Sequence, residues 1–163
     1  MSASHEPTKG IDPRGPRVTA GVTGIVVLVV VALGLVGLTT AATVLLGVQA
    51  VVFLVAAIVG AARHPYGFVF KRLIRPRLAA PVELEDPAPP TFSQGVGFVV
   101  VALGIVLQLL GVPYAVVVAA AAAFIVAFLN SVFGYCVGCQ IYLLLVRAGI
   151  LGRKRTDKDA ATA

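Results

Sequence analysis

The sequence predicts an all-α membrane protein: four transmembrane helices in an antiparallel bundle, an amphipathic cytoplasmic loop segment, and a short C-terminal helix carrying a CxxC pair. Three observations carry that expectation. The chain is 59% hydrophobic and only 12% charged, with a mean hydropathy of +1.00, far from the usage of soluble domains. Its apolar runs approach the roughly 20 residues that cross a bilayer core. Its basic residues lie outside those runs. The polar segments are short and rich in Pro and charge, so they cannot build a core of their own. One membrane domain (residues 18–149) is therefore expected between a polar N-terminal tail (1–17) and a basic tail (150–163) read as disordered.

The first two spans, residues 18–38 and 44–62, are joined by the neutral turn 39–43 and read as a helical hairpin. Thr40-Ala41-Ala42 loosely resembles a signal-peptide cleavage site. The apolar run before it is longer than an ordinary signal core and three more spans follow, so it is read as a transmembrane helix. The loop 63–91 divides in two. Tyr66, Val69, Phe70 and Leu73 share one helical face, with Lys71, Arg72 and Arg75 largely off it, a pattern that lies in a membrane interface. Beyond it Pro76, Pro81, Pro87, Pro89 and Pro90, interspersed with Glu83, Glu85 and Asp86, predict a stiff extended acidic strip that cannot be helical. It reads as a solvated connector, the alternative being a docking strip for a soluble partner.

The third span is residues 92–111 and the fourth 113–133. The apolar signal continues to residue 146, and a single helix over 113–146 would reach about 51 Å, well beyond the roughly 30 Å hydrocarbon core. A break is placed at Asn130-Ser131 and Gly134, where the helical signal weakens, followed by a terminal helix over 135–146.

Charge gives orientation. All 13 Lys and Arg fall in three segments: Lys9, Arg14 and Arg17; then Arg63, Lys71, Arg72, Arg75 and Arg77; then Arg147, Arg153, Lys154, Arg155 and Lys158. By the positive-inside rule both termini and the loop 63–91 are cytoplasmic in a multi-pass protein. The net charge of +6 is then a topology signal that also draws the loop and tail to anionic lipid headgroups, and no nucleic-acid partner is needed to explain it.

The four spans hold no Asp, Glu, Lys, Arg or His, which argues against pumping and ion-coupled transport. Gln49 and Gln108, toward the outer half of their helices, could hydrogen-bond one another across the bundle, which reads as helix-to-helix glue ahead of a substrate contact. Gly97, Gly104 and Gly111 recur every seven residues, Ala56 and Gly60 form a small pair, and Ala119 to Ala123 slim the fourth helix. All are read as devices for close helix approach.

Only one motif looks like chemistry: Cys136-Val137-Gly138-Cys139, the chain's two cysteines. Residues i and i+3 share a helix side at a spacing that permits a disulfide. If Cys136 opens the terminal helix, the unpaired amides there favour a nucleophilic thiolate, and Gly138 leaves room for a partner backbone. Cys136 and Cys139 are thus the candidate catalytic pair, with redox or sulfur chemistry, plain packing and metal ligation all open as readings. Ligation is short of donors, because His64 and His5 are the only imidazoles. No metal or cofactor is expected. A thioredoxin-like domain is excluded for want of a βαβ context, and there is no phosphate loop or Ser/His/Asp arrangement.

Asp12-Pro13-Arg14-Gly15-Pro16-Arg17, His64-Pro65, Arg75-Pro76-Arg77-Leu78, Glu85-Asp86-Pro87-Ala88-Pro89-Pro90-Thr91-Phe92, and Asn130 with Gly134-Tyr135-Cys136-Val137-Gly138-Cys139 together resemble the bacterial membrane family catalogued as domain of unknown function 4395. The resemblance covers about residues 11–149 and implies a bacterial inner-membrane location with Cys136 and Cys139 as the family's cysteine pair. No activity is assigned to that family. Its association with thioredoxin-like and rhodanese-like sulfurtransferase neighbours implies a thiol role.

The expectation is a membrane-bound dithiol that exchanges electrons or sulfane sulfur with a thioredoxin-like or rhodanese-like partner. Cys136 attacks and Cys139 resolves, the pair resting reduced near the cytoplasmic face. Whether this makes the protein an enzyme is open, as is a homo-oligomer. The alternatives are a non-catalytic scaffold or accessory subunit with structural cysteines, and uncoupled permeation of a small sulfur species.

Overall fold

Long helices form on each apolar run, and the first three begin nearer the N-terminus than hydropathy places them. In the computed structural model, which describes residues 10–79 and 84–151, α1 is Arg14–Leu35, α2 Thr39–Val59, α4 Ala88–Leu109 and α5 Ala115–Phe128. A short helix, α3 (Gly67–Val69), lies in the loop, and α6 (Val137–Arg147) closes the described chain. Residues 1–9 with His5 and Lys9, residues 152–163 of the basic tail, and Pro81 and Glu83 of the loop lie outside the described residues.

Early helix starts have local causes. Asp12 Oδ1 accepts from the Arg14 N–H at 3.0 Å, and Asp86 Oδ1 accepts from the Ala88 N–H at 2.9 Å, so short acidic side chains satisfy amides at both helix starts. Pro89 and Pro90 then occupy the first turn of α4, where proline's missing N–H is no loss. The proline-rich acidic strip is therefore not extended throughout, as its composition predicts: its last residues are helix. Glu85 just before them is tied to Ile11 in an antiparallel bridge, with both N–H···O distances 2.9 Å. That bridge fastens the segment before α1 to the segment before α4.

The helices form a ring in which α1 packs on α2 and α5, and α4 packs on the same two. Val27, Val30, Leu46, Phe53, Val101, Val116 and Ala120 fill the centre. Ile25, Val51, Ile58, Leu103, Val118 and Ile125 stay exposed on the outside. Large aliphatics facing outward from long helices are what hydrocarbon requires, since lipid, unlike water, sets no penalty on them. Four helices are long and apolar enough to cross a membrane, which marks the chain as a membrane protein.

Small residues bring the helices together. A Cβ on Gly97 would lie 3.2 Å from the Phe53 ring, and one on Gly104 would fall on Ala119. Gly111 plays no such part: with no atom near it, it terminates α4. Gln49 and Gln108 are not partners. Gln49, fully buried, accepts from the Tyr66 hydroxyl at 2.9 Å, while Gln108 accepts from the Val116 N–H at 3.4 Å. The 39–43 turn is shorter than predicted and shifted to residues 36–38, which puts Gln49 at mid-helix within reach of the opposite loop.

In the loop, α3 continues into a π-helical turn, Phe70–Ile74, and a 3-10 turn, Arg75–Arg77. Phe70 is buried against Gly15. Phe68 and Leu73 are exposed, and Arg72 lies 5.1 Å over the Phe68 ring.

Candidate functional site

The expected break after the fourth span is real. A π-helical turn, Leu129–Phe133, ends at Gly134, whose φ of +68° lies in the left-handed region that glycine enters without strain. The Arg17 guanidinium covers the space where a side chain would stand: a Cβ on Gly134 would meet Cζ at 2.6 Å. The chain then turns extended, and Cys136 becomes the N-cap of α6.

That position decides the geometry of the pair. Because Cys136 is extended (φ −88°, ψ 101°) rather than helical, its side chain folds back over the first turn of α6. There Sγ accepts from the Cys139 N–H at 3.3 Å, the standard satisfaction of an orphan amide at a helix start. Cys136 and Cys139 are joined as a disulfide, with Cα atoms 5.2 Å apart, inside the range such bonds need. The pair is disulfide-bonded in this structure, and the reduced resting state expected in a cytoplasmic setting is a matter of the surrounding redox poise. The N-cap turn brings the sulfurs together without distorting the helix.

Gly138 does not wait for a partner's backbone; it is already taken by the protein's own α4. A Cβ there would lie 2.6 Å from Ser93 Cβ and 2.8 Å from its Cα, so only glycine lets α6 press onto α4 at this point. The contact holds the Ser93 hydroxyl 3.6 Å from Cys136 Sγ. Further along, Tyr142 meets Phe92 with ring centroids 5.6 Å apart. Helix α6 therefore lies across the start of α4.

Two cavities meet at Cys136. The outer cleft, about 310 Å³, carries the charged and polar side chains Arg17, Glu85, Asp86 and Gln140 together with both cysteines. The inner cavity, about 150 Å³, enters the bundle and is lined by Phe53, Ser93, Gln94, Ala123, Ala127, Asn130 and Cys136 among others. Cys139 borders only the outer one.

His64 belongs to the neighbourhood but not to the sulfurs. It is buried; Nδ1 accepts from the Tyr66 N–H at 3.1 Å, which fixes the tautomer so that Nε2–H donates to Gln94 Oε1 at 3.3 Å. Burial pushes its pKa down, and the Gln94 hydrogen bond opposes that in part. Among the described residues no group of three His, Cys, Asp or Glu side chains is placed to hold a metal.

Sequence reasoning named the two cysteines and the helix they open. It missed Ser93, Gln94 and Arg17. The polar pair Ser93-Gln94 at the head of an apolar span was the available signal. Arg17 stood out only as a topology charge and as part of the motif before α1, and nothing local ties it to Gly134, which is far away in the chain.

The fold and site define a class: an apolar four-helix bundle with a CxxC disulfide at the start of the short C-terminal helix α6. The chain matches the family described as "Domain of unknown function (DUF4395)" over residues 11–147 and belongs to it. No curated protein and no solved structure matches the chain significantly.

Proposed function

We propose that this protein is a membrane-bound thiol–disulfide exchange component that passes electrons between Cys136/Cys139 and a soluble thioredoxin-like partner. The single observation that carries the reading is the N-cap position of Cys136. Its sulfur is bonded to Cys139 and at the same time receives a helix-start N–H, the environment that stabilises the thiolate released on reduction. A structural disulfide needs no such donor. Sulfane-sulfur carriage would use one thiolate, and the joining of the two sulfurs favours electron exchange.

In the reducing direction, the Cys136 thiolate attacks one sulfur of the partner's disulfide. A mixed disulfide forms and the partner's other sulfur leaves as thiolate. Cys139, deprotonated, then attacks Cys136 Sγ, which restores the Cys136–Cys139 bond and releases the partner's second thiolate. Two electrons have moved to the partner, and the reverse sequence oxidises it. The outer cleft, whose wall includes Arg17, Glu85, Asp86 and both cysteines, offers polar contacts to such a partner.

The side of the membrane follows from charge. Arg14 and Arg17 at the start of α1, Arg63 after α2, and Arg72, Arg75 and Arg77 in the loop belong to the bundle end from which α6 departs. By the positive-inside rule this end is cytoplasmic, and the resemblance noted in the sequence implies that the membrane is a bacterial inner membrane.

Cys139→Ser should accumulate a mixed disulfide between Cys136 and a partner, visible as a thiol-sensitive band on non-reducing gels. Cys136→Ser and the double serine variant should not. If Cys139→Ser traps nothing and the double variant keeps full cellular function, the cysteines are structural and the protein is a scaffold.

A further inference from the structure

The inner cavity adjoins the cleft a soluble partner would use, and the two share Pro16, Pro90, Asn130 and Cys136 in their walls. It is mostly apolar, with Thr23, Ser93, Gln94 and Asn130 as the polar side chains of its wall. Val100, Val126 and Ile141 of its lining are 36%, 38% and 37% exposed, so aliphatic side chains that border it also reach the outside of the bundle. A cavity bordered by such aliphatics admits a ligand from hydrocarbon rather than from water. An apolar cavity of about 150 Å³ holds a benzene-sized ring. Gln94 Oε1 is occupied by His64, so its NH₂ is the part of that side chain free to meet a ligand oxygen, and the Ser93 hydroxyl stands beside Sγ.

Ring-sized, lipid-soluble, oxygen-bearing and able to exchange two electrons with a dithiol: together these features describe a quinone. We propose that the inner cavity binds the ring of a membrane quinone, which oxidises the Cys136/Cys139 dithiol. The proposal rests on the exchange reading and names the second redox partner of that site. Two S–H bonds are replaced by one S–S bond. The two electrons and two protons released reappear as the two O–H bonds of the hydroquinone. A soluble dithiol would then reduce the disulfide through the outer cleft, so that Cys136 joins a water-side and a lipid-side reaction.

The test uses the full chain in lipid nanodiscs, reduced and held without oxygen, with tetramethyl-benzoquinone as probe because its fully substituted ring cannot be arylated by a thiol. One equivalent of quinone should be reduced per disulfide formed, followed by absorbance and thiol titration. Ala123→Leu and Ala122→Leu, which narrow the cavity, should each slow this at least tenfold. Both variants should still exchange with a water-soluble aromatic disulfide at the wild-type rate, which also shows that they are folded. Wild-type protein that exchanges with the soluble disulfide but leaves the quinone unreduced overturns the quinone site and leaves the exchange reading standing. Protein inert to both overturns both. Equal quinone rates in wild type and the two variants place the reaction outside the cavity and overturn the proposal.

Discussion

Gly138 of α6 lies against Ser93 of α4 so closely that a Cβ at position 138 would stand 2.8 Å from the Ser93 Cα. The backbone itself is in the way, so no rotamer change can relieve the clash. Gly138→Ala should push α6 off α4 and destabilise the fold by about 1–3 kcal/mol, the usual range for overpacking. It should also move Ser93 away from Cys136. Thermal unfolding in detergent and the rate of disulfide reduction measure the two effects. Ser93→Gly should recover part of the loss, since it deletes two of the three clashing atoms. A Gly138→Ala protein as stable as wild type would show that this contact does not set the helix position.

Tyr66 reaches from the loop to a glutamine inside the bundle. Gln49 Nε2 is buried without a partner, so the Tyr66 hydroxyl at Oε1 is the side chain's one observed hydrogen bond. Tyr66→Phe should cost about 1–3 kcal/mol because it leaves the amide wholly unsatisfied. The double variant Tyr66→Phe/Gln49→Leu removes both polar groups and should regain most of that. A double-mutant cycle with no coupling energy would mean that the two groups do not act as a pair.

His64 makes stability depend on pH. It is 5% exposed, and burial holds its pKa below the ordinary 6.5, partly offset by Gln94. Between the lowered folded value and 6.5 the unfolded chain binds more protons at this ring than the folded protein. Stability therefore rises with pH across that window. The contribution is complete above 6.5 and is lost as pH falls toward the folded value. The thermal midpoint should drop on acidification from neutral pH, and His64→Gln should flatten that part of the curve. An unchanged slope in the variant would assign the dependence to other groups.

Orientation can be read with the cysteines themselves. After reduction in intact cells, a membrane-impermeant maleimide added outside should leave Cys136 and Cys139 unmodified, whereas inverted membrane vesicles should be modified readily. Labelling from the outside would reverse the proposed topology.

Much of the scaffold was legible because a bilayer imposes a length and a hydropathy on anything that crosses it. The break before α6 was legible too, because Gly134 interrupts an apolar run too long for one helix. Helix ends were less so. Asp12 and Asp86 cap turns that hydropathy reads as loop, and Pro89 and Pro90 look like breakers until their place in the first turn is known. The Gln49–Gln108 pairing failed for a related reason: two lone polar residues in apolar helices suggest each other, and the sequence does not show that a loop tyrosine arrives first.

By itself, then, the sequence determined an all-helical membrane bundle with four spans and a cysteine pair opening a short C-terminal helix, because these follow from local hydropathy, spacing and backbone preference. Only the tertiary structure decided that Cys136 caps α6 with its sulfur bonded to Cys139, that Ser93, 43 positions away, lies beside it, and that a cleft with charged side chains and a mostly apolar cavity meet there. Those relations depend on how α6 crosses α4 and where Arg17 falls over Gly134. They are contacts between distant parts of the chain, which no local pattern of residues encodes.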